Sequence, residues 1–210
     1  MSGDMWKHYW PVYQHLESEL EEISYSISFC DEQLTVHSLR LSDLLLRICA
    51  ECENASKSII DMYGLKNAGK DISDLYFPQC GDILVKKFTR LNRADLFIRW
   101  HYQTFSNVSR IPFEKWNETP STNPEWFTAY NTLKHDRIRN AHLGNLSNVL
   151  AGLGGLFILN LLLRKEEIDQ ITVPHEDAPR MQLSFSQFFS PEKFLLYSPF
   201  GMYRTFSLNL

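Results

Sequence analysis

The segment from Leu146 to Leu163 constrains this chain more than any other. Apart from Ser147, Asn148 and Asn160 it holds only aliphatic residues, glycine and one phenylalanine. Its apolar run, 149–163, is shorter than the roughly 20 residues a bilayer requires, and Gly152, Gly154, Gly155 and Asn160 interrupt it. The segment therefore predicts a central helix buried on all sides rather than a membrane span. Its glycines would let a neighbouring helix approach closely.

Such a helix needs others to cover it, and the upstream sequence supplies them. Leu16, Leu20, Ile23, Ile27 and Cys30 recur at steps of four and three, which predicts an amphipathic helix. Pro11 suits its first turn, and Trp6, Tyr9, Trp10 and Tyr13 give it an aromatic start. Glu17, Glu19, Glu21 and Glu22 read as its solvated face. A second helix carries Leu41, Leu45, Ile48, Cys52, Ala55 and Ile59 on one stripe. Pairs of opposite charge four residues apart support it, and Gly64 is placed to end it. Two such helices joined by a short connection make an antiparallel hairpin.

The middle of the chain is less regular. Asn67, Gly69, Asp71, Pro78 and Gly81 mark turns, a short helix is expected between Gly81 and Asn92, and 96–101 reads as strand or helix. Asn123 as cap and Pro124 as first residue open a further helix, which buries Trp126, Tyr130 and Leu133. If that helix ran unbroken to Leu163 it would be about 60 Å long at about 1.5 Å per residue, too long for a compact domain of this size. A break is therefore expected between Asp136 and Asn145. After Arg164, prolines and phenylalanines alternate, and 193–197 and 202–208 look extended. The expected fold class is mainly α: a four-helix-type bundle over 1–165 with a small β-rich or irregular C-terminal appendage over 166–210.

Among 210 residues, 44% are hydrophobic and 22% charged, with a net charge of −4. These values fit an ordinary globular protein and exclude a general basic field for nucleic acid. The first residues lack the apolar core of a signal peptide, so a cytoplasmic chain is the simplest reading. Cys30, Cys49, Cys52 and Cys80 then read as buried thiols. Although Cys49 and Cys52 form a Cys-x-x-Cys pair, no second ligand pair follows at zinc spacing, and the two sit on the apolar stripe. No Walker or dinucleotide glycine loop is present. No metal or cofactor is expected, and no membrane partner.

The chemistry is concentrated in the stretch 131–142, Asn-Thr-Leu-Lys-His-Asp-Arg-Ile-Arg-Asn-Ala-His. On a continuous helix Asn131, His135, Arg139 and His142 would share one stripe. An imidazole titrates near neutrality and can move a proton to or from a hydroxyl, while a guanidinium holds phosphate charge in a transition state. That pairing suits metal-independent cleavage of RNA, in which the adjacent 2′-hydroxyl is the nucleophile. Two blander readings compete: a solvated basic helix end that complements the helix dipole, and a binding surface without catalysis. Lys86, Lys87 and Arg90 form a second basic cluster that could touch phosphate.

A helical hairpin, then Tyr130-Asn131-x-x-Lys134-His135-x-Arg137, then four residues between Arg137 and His142, then an aliphatic helix, resembles the HEPN superfamily of helical bundles. The resemblance covers roughly residues 13–165. It implies an Arg-x4-His ribonuclease motif in which His142 is the acid/base and Arg137 or Arg139 the phosphate clamp, with His135, Asn131 and Lys134 nearby. It also implies a homodimer in which two copies of the motif meet, single-stranded RNA or a nucleotide as ligand, and an antitoxin or defence-system protein as partner. The family's usual polar residue after the arginine follows Arg139, as Asn140, and not Arg137, which Ile138 follows. On an unbroken helix Arg139 would lie beside His142, with Arg137 about 140° away. The break in the helix decides between them.

Overall fold

The computed structural model describes residues 5–65, 69–98, 103–107 and 109–168, and the backbone of 172–174, 189–191, 194–197 and 203–208. The described fold is mainly helical. Its helices are α1 (Trp6–Ser24), α2 (Leu39–Met62), α3 (Phe77–Lys87), α4 (Glu125–His135) and α5 (Leu146–Leu163). Two short strands, β1 (Leu96–Ile98) and β2 (Ser109–Arg110), pair antiparallel with Leu96 opposite Arg110. Of the expected appendage, only backbone is described. Phe189–Pro191 pairs with β1, and Tyr203–Leu208 pairs with Thr172–Pro174 and Phe194–Tyr197. The rest of 169–210, and with it how the appendage packs, lies outside the described residues.

Helix α5 is the centre of the bundle, with α1, α2 and α4 packed on it and α3 lying on α2. By length and composition it could cross a membrane, with a mean hydropathy of 1.9, yet 83% of it is buried within the fold. The expected close approach at its glycines is present. Cβ atoms at Gly152 and Gly155 would meet the Trp126 indole at 3.3 and 3.1 Å. Asn160 is the polar exception, fully buried, with its amide donating to the Leu156 carbonyl at 2.9 Å.

α2 forms as its stripe predicts. Ser38 caps its start by accepting from the Leu41 N–H at 3.1 Å, and Gly64 ends it at φ 57°. There the Gly64 N–H donates to Asp61 O and the Leu65 N–H to Ile60 O, which satisfies the last carbonyls. Cys49, Cys52 and Cys80 are buried thiols, whereas Cys30, beyond the end of α1, is only half-buried; burial pushes the three buried thiols up, Cys80 to about 12. They are therefore poor nucleophiles and poor ligands as they stand. Arg47 of α2 binds Glu19 of α1 with both guanidinium Nη atoms and Asp43 with Nε.

The Arg47 contact holds the Glu19 carboxyl below its usual range. A carboxylate whose folded pKa is depressed contributes stability that is present above the unfolded value of about 4.5 and lost as pH falls through the acid range. Asp31, which accepts from both the N–H and the hydroxyl of Ser106, is lowered in the same direction. Melting temperature should therefore fall as pH drops below about 5, and Glu19→Gln should flatten that dependence. An unchanged acid slope in the variant would remove Glu19 from the account.

Several boundaries differ from the sequence reading. α1 begins at Trp6 and ends at Ser24, so Pro11 lies inside it and Ile27 and Cys30 lie beyond it. α3 begins at Phe77, because Pro78 sits in a first turn that has no N–H partner to lose. Gly81 is therefore inside that helix, not a turn; the face of Trp116 lies against it. α4 opens at Glu125 after Pro124 with no side-chain cap, which leaves Asn123 Oδ1 without a partner among the described residues.

Candidate functional site

α4 ends at His135, and α5 does not start until Leu146. The break expected between Asp136 and Asn145 is present, and the single stripe through Asn131, His135, Arg139 and His142 does not exist. Asn131 and His135 sit one turn apart on α4, Arg139 lies in a turn, and His142 lies in the short 3-10 helix Ala141–Leu143. Because no straight helix joins them, the argument that placed Arg139 beside His142 no longer applies.

Asp136 organises the first half of the connection. Its N–H donates to Thr132 O, and its carbonyl accepts from both the N–H (3.3 Å) and the side-chain amide (2.8 Å) of Asn140. Its carboxylate accepts from the Arg139 N–H at 3.2 Å and pairs with Arg139 Nε at 3.5 Å. Arg139 is 86% exposed, so this pair contributes at most about 1 kcal/mol. It nevertheless draws the Arg139 guanidinium back toward α4. Asn140, the polar residue that follows Arg139, is thus a buttress of the turn.

Two asparagines hold the second half. Asn145 caps α5 by accepting from the Asn148 N–H at 3.0 Å, and its own amide donates to the His142 carbonyl at 3.0 Å. The Asn148 amide donates to the Leu143 carbonyl at 2.8 Å. The remaining early amides of α5 are taken by a neighbouring segment, Leu146 N–H by Val36 O and Ser147 N–H by Leu34 O. The start of α5 is thereby closed to an anion. Gly144 completes the anchorage, its carbonyl accepting from the Ser38 N–H at the start of α2.

The result is one polar, exposed end of the bundle. Lys134, His135, Arg137, Arg139 and His142 are all exposed there, and Asn131 is half-buried one turn back. Lys134 rests its ammonium over the Tyr130 ring at 5.6 Å. Ile138, between the two arginines, is 92% exposed. Among the described residues, Arg137 has no ion-pair partner.

The second basic cluster is elsewhere. Lys86 and Lys87 are in the last turn of α3, and Lys87 lies over the ring of Tyr63, which caps the far end of α2. Gly144 lies against Ser42 near the first turn of α2. At about 1.5 Å per residue the two positions are about 30 Å apart along that helix. Lys86, Lys87 and Arg90 are therefore not part of the Arg137–His142 surface.

The residues that fix the loop, Asp136, Asn140, Asn145 and Asn148, were missed by reading for catalytic types. Their signal is visible in hindsight: Asp and Asn close to a helix end commonly bond to backbone two to four residues away. Among the described residues no three His, Cys, Asp or Glu side chains gather to hold a metal ion. Searches against protein-family models, curated proteins and solved structures give no match for the chain.

Proposed function

We propose that the α4–α5 connection is a metal-independent RNA-cleaving site of the HEPN kind. The observation that supports this reading most is the break itself. It exposes Arg137, Arg139 and His142 on one short, hydrogen-bonded loop, where an unbroken helix would have turned Arg137 about 140° away from His142. His142 is the group that moves the proton. As base it takes the proton of a 2′-hydroxyl, whose oxygen attacks the adjacent phosphorus; the 5′-oxygen leaves and is protonated, giving a 2′,3′-cyclic phosphate. Arg137 is the phosphate clamp, because Arg139 is already engaged by Asp136.

One histidine supplies one proton transfer at a time, so the second acid/base comes from His135 or from a second copy of the chain. Ile138 and Leu39, the latter 72% exposed at the start of α2, give the same end of the molecule apolar side chains with which two copies can meet. The resemblance carries with it a toxin–antitoxin or phage-defence setting and a cytoplasmic location. The same two apolar side chains favour one second reading, a partner-binding surface without catalysis.

The test is cleavage of single-stranded RNA by the purified full-length chain in EDTA. Cleavage should leave cyclic phosphate ends. His142→Ala should lower the rate by roughly a hundredfold or more, and Arg137→Ala should lower it more than Arg139→Ala, with circular dichroism unchanged. Equal activity in wild type and His142→Ala would sink the catalytic reading and leave the partner surface.

A further inference from the structure

The cleavage proposed above needs a second proton-transferring group, and His135 and a second copy are not its only sources. The fold brings a further histidine, His37, to the His142 turn from a distant part of the chain. His37 lies in the segment that enters α2, and the end of the α4–α5 connection runs antiparallel beside it. The Ser38 N–H donates to Gly144 O, the Leu146 N–H to Val36 O and the Ser147 N–H to Leu34 O. The first two of these bonds bracket one pair, His37 opposite Asn145. A pair bracketed in this way is of the non-hydrogen-bonded kind, with α-carbons about 4.5 Å apart and both side chains on one face.

Asn145 is the link between the two histidines. Its side chain stands beside that of His37 across the pair, while its amide donates to the His142 carbonyl at 3.0 Å. Its Oδ1 accepts from the Asn148 N–H at 3.0 Å, so the Asn145 side chain is held at both ends. The backbones that carry His37 and His142 are thus fixed to one residue. Both imidazoles are exposed, and among the described residues neither bonds to another group. Nothing in the sequence pairs His37 with His142, which lies far along the chain; only the antiparallel contact does.

We infer that His37 is the general acid of this site, an assignment that rests on the ribonuclease reading. His142 takes the proton of the 2′-hydroxyl, and the 2′-oxygen bonds to phosphorus as the bond to the 5′-oxygen breaks. The His37 imidazolium gives the departing oxygen its proton. The products are a 2′,3′-cyclic phosphate and a 5′-hydroxyl, with His142 protonated and His37 neutral until exchange with water restores both. Two histidines on separate segments suit this step, because the entering and leaving oxygens lie roughly in line on opposite sides of the phosphorus. One chain then holds both proton-transferring groups.

The experiment compares two leaving groups with the full-length protein in EDTA. A dinucleoside monophosphate loses an alkoxide, which needs a proton, whereas a nucleoside 3′-(4-nitrophenyl phosphate) loses a nitrophenolate, which does not. His37→Ala and His37→Gln should each lower dinucleotide cleavage by about a hundredfold and cleavage of the nitrophenyl ester far less. His142→Ala should lower both. The pairing runs through backbone and the His37 side chain is exposed, so circular dichroism should not change in either variant. A folded His37 variant that cleaves the dinucleotide like wild type, or loses both substrates equally, overturns His37 as the acid and leaves the His142 reading standing. A wild-type protein that cleaves neither substrate removes the ribonuclease reading, and the assignment of His37 with it.

Discussion

Replacing Gly144 by alanine should cost about 3 kcal/mol of stability, near the upper end of the usual range for overpacking a tight site. A Cβ there would lie 1.9 Å from Ser42 Oγ and 2.8 Å from both Ser42 Cα and Cβ. The hydroxyl could rotate away, although it would give up its bond to Ser38 O at 2.9 Å. The Cα cannot move, because it is backbone near the start of a 24-residue helix. The strain therefore falls on the connection, and the contact of Gly144 O with the Ser38 N–H goes with it. A loss of about 3 kcal/mol corresponds to a fall of roughly 6–12 °C in melting temperature for a chain of this length.

The companion variant sharpens the test. Ser42→Ala removes the 1.9 Å contact but not the 2.8 Å ones, so it should rescue Gly144→Ala only in part and the two effects should not add. Full additivity, or a Gly144→Ala protein as stable as wild type, would show that the loop does not sit against α2 as described. The same variant bears on function. Because Gly144 ties the His142 turn to α2, the ribonuclease reading proposed above expects any RNA cleavage to fall in Gly144→Ala even at temperatures where the protein remains folded.

Trp116→Ala should be the most damaging single core substitution, at about 3–5 kcal/mol. The ring is 1% exposed, stacks on Phe113 with centroids 4.3 Å apart, and lies tilted against Phe77 at 5.2 Å. Phe77 in turn stacks on Phe127 at 4.0 Å. Removing Trp116 thus unseats the aromatic cluster that joins α3 to α4. One feature softens a gentler change: the Trp116 Nε1–H is buried with no partner among the described residues. Trp116→Phe leaves a smaller cavity and removes that unmet donor, so its cost should be well below that of alanine, about 1–2 kcal/mol.

Gly81 provides the control. A Cβ at that position would lie 2.7 Å from the Trp116 ring, so Gly81→Ala should cost roughly 1–3 kcal/mol in wild type and much less in Trp116→Ala, where the space is empty. Denaturant unfolding of the four proteins closes the cycle. Equal costs in both backgrounds would mean that the glycine is not there for the indole.

How far the sequence reaches can be judged from particular residues. The burial of 146–163, the stripe of α2 and the glycine at position 64 were legible, because periodicity and left-handed backbone are local properties. The break after His135 was legible only as a limit on length; nothing local marks Asp136 as its first residue until its bonds to Asn140 and Arg139 are seen. The start of α3 was misplaced because Pro78 serves equally a turn and a first helical turn, and Gly81 was misplaced because its role is to admit Trp116, 35 residues away.

The candidate site divides in the same way. By itself the sequence determined which side chains are available, namely two arginines, two histidines and a lysine within nine residues, and that an aliphatic helix follows them. Spacing on an ideal helix favoured Arg139 as the partner of His142. Tertiary structure removes that spacing, because Gly144 packs against the start of α2, and Leu146 and Ser147 donate to carbonyls of the 34–36 segment. Those contacts fix the start of α5, while Asp136 closes α4 locally by donating its N–H to Thr132 O. Arg137 and Arg139 are both exposed, Arg139 paired with Asp136, and the second basic cluster lies about 30 Å away at the far end of α2. Residue type and period are properties of the chain alone, whereas the boundary of a helix is set by whatever satisfies its last carbonyls or first amides, and the groups that take the first amides of α5 come from elsewhere in the fold.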